Sequence, residues 1–434
     1  VAALVTLLVI ISIILLFSRK LVKLLTVNQR GSGLFWSIMV VLLALLMVSH
    51  PREVFQASLA GLDTWWRIVF PALLPFFIVS ELFLGLGVVQ FLGVLLEPIM
   101  RPVFNVPGAG SFVVAMGYTS GFPIGSIVTA RLRKDRLCTR IEGERLFSFT
   151  NNASPLFMFG AVAVGMYDRP ELGAIIAGSH YLANLLLGLA LRFYGAGKPE
   201  TAAPVPSKGP IFKRAARAML QAQFSDGRPL GQLLGDSVQV SVGNLLKIGG
   251  FIILFSVLIK ILMITGVHGV LTTVVDILIK PIGFSNHAAQ AASTGFFEMT
   301  LGTKMASEGS DPLWQKLVIT GAILGWSGLA IHAQVASIIA ETDIRLIVFV
   351  LTRIGHALLA AALTFLFAGP WHATADILVK PVFLHGSGLP ASLTAYYGFS
   401  LTQFAVFLSV AAVLAILVRV ARHFNLVLKR WPIH

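Results

Sequence analysis

Cysteine is all but absent: Cys138 is the single one in 434 residues. A lone thiol makes no internal disulfide, so no oxidised framework holds this fold. Charge is scarce as well, at 12% of residues, and lopsided, with 19 Asp and Glu against 33 Lys and Arg. A soluble domain carries about twice that charged fraction. Catalytic signatures are missing too. There is no phosphate-binding glycine loop, no metal-spaced Cys/His set and no nucleophile elbow, so nothing calls for an enzyme, a metal or a cofactor.

What is present is apolar bulk. Hydrophobic residues make up 56% of the chain and its mean hydropathy is +0.85. That is the composition of an all-α polytopic membrane protein, with the lipid bilayer as its first partner. The formal charge of +14 does not indicate nucleic acid, because the bases gather in short loops at the ends of apolar runs, the positive-inside pattern. Roughly 20 apolar residues make one helical crossing, which predicts spans at 2–17, 33–49, 66–87, 147–166, 171–193, 239–265, 316–340, 345–367 and 401–420. The link with Arg19, Lys20, Lys23 and Arg30 is then cytoplasmic, as are the loop with Arg131, Arg133, Lys134, Arg136, Arg140 and Arg145 and the tail with Arg419, Arg422, Lys429 and Arg430. The N-terminus lies outside.

Parity now constrains the stretch GYTSGFPIGS, residues 117–126. The span at 66–87 ends inside and the basic loop at 131–145 is inside, so the apolar piece at 111–130 enters and leaves from one side as a re-entrant hairpin. Irregular backbone at membrane depth is tolerated only where it is buried in protein or lines a wet cavity. A second irregular stretch, STGFFEMTLGTKMAS at 293–307, matches it.

The halves repeat each other. LLEPIMRP holds Glu97, Arg101 and Pro102, and VVDILIKP holds Asp276, Lys280 and Pro281 at the same spacing; each leads to a glycine-interrupted hairpin and then a polar-spotted span, FTNNASPLF or GWSGLAIHAQ. The following spans carry His180 and Arg353 at the matching place. One half starts outside and the other inside, so the expected fold is an inverted-topology repeat with two re-entrant helical hairpins, the pattern of a secondary transporter with a midplane site. The expected organisation is N-terminal transmembrane helices at 1–50, a first repeat at 51–194, a basic cytoplasmic linker at 195–235, a second repeat at 236–368, and a C-terminal loop, helix and tail at 369–434. Within the linker, IFKRAARAMLQAQF is either a surface-lying amphipathic helix or a solvated one.

Candidate substrate contacts follow from these breaks. Half-helix N-termini offer free N–H groups to an anion, with Thr119, Ser120 and Ser126 as hydroxyl partners and Gly121 and Gly125 permitting close backbone approach; alternatively these small residues let the hairpin pack tightly. Asn151, Asn152 and Ser154 precede Pro155 and either contact a solute or cap the helix. Glu298 is costly at mid-bilayer and calls for a cavity, a proton or an ion pair with Lys304. Thr300, Thr303, Ser327, His332 and Gln334 complete the second half's set, and Glu81, Lys247 and Arg353 form a second rank, the two bases expected to snorkel from about two turns below the cytoplasmic face.

LLEPIMRPVFNVPG, then GYTSGFPIGS, then ERLFSFTNNASPLF resemble the sporulation integral membrane proteins of the nucleoside-recognition (Gate) domain family, over about residues 55–420. The resemblance implies a fold similar to concentrative nucleoside transporters, a homo-oligomer, and residence in the mother-cell-derived outer forespore membrane. It implies a stage V sporulation carrier that moves dipicolinic acid (pyridine-2,6-dicarboxylate), alone or with calcium, from mother cell toward forespore by alternating access, with a proton or cation as coupling ion. Two other functions fit the same residues: a nucleoside transporter, and a non-transporting scaffold for sporulation proteins.

Overall fold

The computed structural model describes residues 29–195, 197, 201 and 209–369. The spans expected at 2–17 and 401–420, with the basic tail, lie outside these. Every element among the described residues is helical. Among the described residues, five helices are long and apolar enough to cross a membrane: Pro51–Gly85, Leu172–Leu191, Leu230–Ile264, Leu313–Ile339 and Leu346–Ala368. The protein is an integral membrane protein.

Helix α1 spans Gln29–Ser49. Helix α2, Pro51–Gly85, is 35 residues long and opens on a proline, whose missing N–H is harmless in a first turn. It starts well before the span expected at 66–87. The polar segment PREVFQASLAGLDT lies ahead of that expected span, yet it is helical and packs on the long helix of the second half, where Ser256 Oγ donates to Ala57 O at 2.7 Å. That partner, α10 (Leu230–Ile264), is also 35 residues long and begins inside the range 195–235. Each long helix ends in a turn with a left-handed glycine, Gly87 (φ 76°) or Gly266 (φ 80°). A short amphipathic helix follows, α3 (Val88–Ile99) or α11 (Val267–Ile279).

Next comes a hairpin in each half: α4 (Gly110–Ser120) with α5 (Ile124–Lys134), and α12 (Asn286–Phe297) with α13 (Met299–Glu308). An interrupted helix follows each. In the first half α6 (Arg140–Thr150) breaks and resumes as the π-helical α7 (Phe157–Met166); in the second, α14 (Leu313–Trp326) gives way to α15 (Gly328–Ile339). Each half closes on an unbroken helix, α8 (Leu172–Leu191) or α16 (Leu346–Ala368). Between the halves, α9 (Ile211–Asp226) lies along α3, with Ala215 fully buried and Arg214 Nη2 paired to Glu97 at 2.6 Å.

Ion pairs show which ends share a face. Arg133 forks onto Asp343 at 2.7 and 2.8 Å, Lys134 pairs with Glu341, and Arg345 Nε reaches Glu144 at 2.8 Å. Tyr194, just past α8, donates to Glu144 at 2.7 Å, and Arg145 donates to the carbonyl of Asn105 ahead of the first hairpin. The two ends of hairpin α4–α5, the start of α6, the end of α8 and the α15–α16 turn therefore meet on one basic face, and the first hairpin enters and leaves on the same side. From that face α6–α7 departs, α8 returns and α10 departs. The second repeat thus begins on the face where the first repeat ends, and the halves run in opposite directions.

Candidate functional site

Four interruptions create the site. Hairpin α4–α5 turns at Gly121–Pro123, α6–α7 opens at Asn151–Ser154, hairpin α12–α13 turns at Glu298 alone, and α14–α15 breaks at Ser327 alone. Each interruption exposes the start of a half-helix, where unpaired N–H groups carry partial positive charge. Around these starts lies a cavity of about 240 Å³. Its wall takes Ser120, Pro123 and Ile124 from the first tip, Ala153 and Ser154 from the gap, Glu298, Met299 and Thr300 from the second tip, and Ala330 and Gln334 from α15. The long helices close the other side with Ser80 and Glu81 on α2 and Asn244 and Lys247 on α10. Phe77, Phe122, Phe157 and Phe251 supply aromatic surface.

Of the residues expected at the site, the structure brings Ser120, Ser154, Glu298, Thr300, Gln334, Glu81 and Lys247 onto this wall. Lys247 sits midway along α10, so it is not two turns from the basic face. Glu298 is buried and caps α13, accepting from Leu301 N at 2.7 Å. It does not pair with Lys304, which bonds Thr64 Oγ1 at 3.2 Å and lies 3.7 Å from Glu308.

The remaining candidates pack rather than line. Thr119 Oγ1 donates back to Ala115 O at 2.8 Å. A Cβ on Gly125 would stand 2.5 Å from Thr150 O, and one on Gly121, already at φ 77°, would stand 2.8 Å from the Ser154 backbone. These glycines let the hairpin tip touch the gap in α6–α7. Ser126 and Thr303 are fully buried. Ser327 holds a left-handed conformation, φ 76°. His332 stacks on Trp326 with centroids 4.2 Å apart and its Nδ1 lies 2.8 Å from Gly328 O.

Asn151 and Asn152 do not line the cavity, although they directly precede Ala153 on its wall; they belong to a second, fully buried polar centre. Arg353 is fully buried and does not snorkel. Its guanidinium donates to Asn151 O at 3.1 Å, to Ser148 O at 2.5 Å and to Asn184 Oδ1 at 3.2 Å. Asn184 Nδ2 in turn donates to Phe149 O and, at 2.7 Å, to Tyr118 OH, and Asn152 Nδ2 to Phe149 O at 3.0 Å. The orphan carbonyls at the end of α6 are thus met by side chains from α8 and α16. Where α8 and α16 cross, His180 and His356 meet with ring centroids 4.4 Å apart.

Sequence reasoning missed Asn244 and Ser80. The available signal was local: Asn244 precedes Lys247 by one helical turn in an otherwise apolar run, and Ser80 adjoins Glu81.

On the basic face, the Arg133 hydrogen bonds hold Asp343 below the usual carboxylate range. Burial pushes Glu142 up, but hydrogen bonds from Thr201, Thr139 and Arg101 outweigh it and leave this carboxyl low.

With this geometry in hand, known proteins supply the relationship. The family model "Gate: Nucleoside recognition" matches residues 66–195. The sporulation integral membrane protein YlbJ of Bacillus subtilis (strain 168) is 46% identical over 335 residues, covering 75% of this chain and 81% of YlbJ. The chain belongs to the YlbJ family of sporulation integral membrane proteins. Among solved structures, this YlbJ-family chain is similar to CNTnw in an inward-facing substrate-bound state (14% identity, 85% of this chain and 91% of that one, TM-score 0.46). It is also similar to a single-residue variant of CNTnw in the intermediate 1 state (14% identity, 82% and 89%, TM-score 0.46).

Proposed function

We propose that this protein is a secondary carrier for a small planar dicarboxylate, dipicolinic acid, moved from the mother cell across the outer forespore membrane. One observation carries the reading: the half-helix starts of α5 and α7 and the ammonium of Lys247 converge on one cavity walled by aromatic rings. Helix N-termini and a lysine ammonium both favour an anion, and a low-dielectric wall strengthens each of these attractions. At about 240 Å³ the cavity falls just below the ~300–1,000 Å³ of drug-sized sites, a size suited to a single ring. Phe122 and Phe157 present apolar surface to that ring, while Ser120, Ser154, Asn244 and Gln334 offer neutral donors. Glu298 occupies the start of α13, where it accepts from Leu301 N, so the attraction for an anion falls to Lys247 and to the starts of α5 and α7. Transport then consists of the hairpins and interrupted helices shifting against α2 and α10 so that the cavity opens to alternate sides.

The test is uptake of labelled dipicolinate into proteoliposomes, with proton and cation gradients imposed in turn to identify the coupling ion. Lys247→Gln removes a charged hydrogen-bond donor, each worth about 1.5–3 kcal/mol; affinity for dipicolinate should fall at least ~10-fold while the fold is kept. Absence of binding and uptake by the intact protein, beside a working control carrier, overturns the reading. Uptake of uridine or adenosine with dipicolinate inert assigns the cavity to nucleosides instead.

A further inference from the structure

Helix α9 has two apolar faces, and among the described residues only one of them is covered by protein. Ala215, Ala218, Met219 and Ala222 turn toward α3, and Arg214 locks that contact through Glu97. On the other side Phe212 is 67% exposed, Leu220 46% and Phe224 81%. Positions 212, 216, 220 and 224 recur every four residues and form one stripe along the helix. Lys213 and Arg217 flank this stripe, both exposed and with no hydrogen bond or ion pair among the described residues. The helix lies on the basic face, since it follows α8, whose end meets Glu144, and rests on α3, which precedes Asn105 and its contact from Arg145. An exposed apolar stripe edged by free cations at the membrane boundary is complementary to one surface: acyl chains beneath and anionic headgroups above.

We propose that α9 is a binding site for anionic phospholipid in the leaflet of the basic face, with Lys213 and Arg217 holding the headgroup phosphate and Phe212, Leu220 and Phe224 inserted among the acyl chains. Because α9 braces α3, and α3 leads directly into hairpin α4–α5, lipid bound here steadies the support of the first hairpin.

The purified full chain in neutral detergent is titrated with phosphatidylglycerol, with phosphatidylcholine, and with inorganic phosphate, reading bound lipid by native mass spectrometry and the thermal midpoint in parallel. Each basic residue near an anionic surface is worth about five-fold in affinity. The combined Lys213→Gln, Arg217→Gln variant should therefore need about 25-fold more phosphatidylglycerol for the same midpoint shift, and salt at about 0.5 M should shrink the wild-type response. Lys213→Arg with Arg217→Lys should titrate like wild type, which separates charge from folding. Equal titration of wild type and the Gln variant, an equal response to phosphatidylcholine, or a response to inorganic phosphate alone overturns the proposal.

Discussion

The two interrupted helices solve one problem in opposite ways. The gap in α6–α7 takes four residues, Asn151–Ser154, and its loose carbonyls are met from elsewhere in the fold, by Arg353 on α16 and Asn184 on α8. The break in α14–α15 takes a single residue. Ser327 turns left-handed and its own N–H bonds back to Ile323 O at 2.8 Å, the local closure that usually falls to glycine. The wide gap therefore depends on side chains from both repeats, whereas the narrow one depends on its own backbone. This difference shapes the cavity, since the wide gap places Ala153 and Ser154 directly on its wall and the narrow one contributes only through the following turn.

The two breaks respond differently to substitution. The largest effect is expected at Arg353→Met, which leaves Ser148 O and Asn151 O buried without these donors; at about 1–3 kcal/mol per orphaned group, the thermal unfolding midpoint in detergent should fall by the equivalent of about 2–6 kcal/mol. A loss below about 1 kcal/mol would mean that the gap holds itself. Ser327→Val should cost less, about 1–3 kcal/mol, through backbone strain alone, and Ser327→Gly should be tolerated. Equal damage from Val and Gly at this position would place the importance of Ser327 in its hydroxyl instead.

The smallest effect concerns the ionic seam between the halves on the basic face. The folded state holds Asp343 below its ordinary value through Arg133, so its contribution to stability is present above an unfolded-state pKa of about 3.9 and is lost as pH falls through the lower folded value. For a half-exposed pair this is under about 1 kcal/mol. Wild type and Asp343→Asn should differ slightly in midpoint at pH 7 and converge once the pH has fallen below the lowered folded-state pKa of Asp343; a difference that persisted there would not come from the charge.

Much of the plan was legible from breakers and charges. Gly121 and Pro123 in an apolar run, together with the basic loop that follows, were enough to place the first hairpin, because backbone irregularity and loop charge obey rules that act locally along the chain. Helix ends were less legible: PREVFQASLAGLDT is polar, and only its contact with α10 makes it part of α2. Site residues were least legible. Asn151 and Asn152 look like ligands in a string, but neither lines the cavity: the backbone carbonyl of Asn151 receives Arg353 and the Asn152 amide donates to Phe149 O, whereas Asn244 looks like nothing and faces the cavity.

By itself, the sequence determined a membrane-spanning chain of two opposed halves, each carrying a broken hairpin, because hydropathy, parity and turn residues are properties of short segments read against a slab of lipid. Tertiary structure alone decided which polar side chains share the open cavity with Lys247 and which are consumed holding carbonyls beside Arg353. Those assignments depend on how helices far apart in the chain rotate against each other, and a rotation of one residue, about 100° on a helix, exchanges a cavity wall for a buried contact.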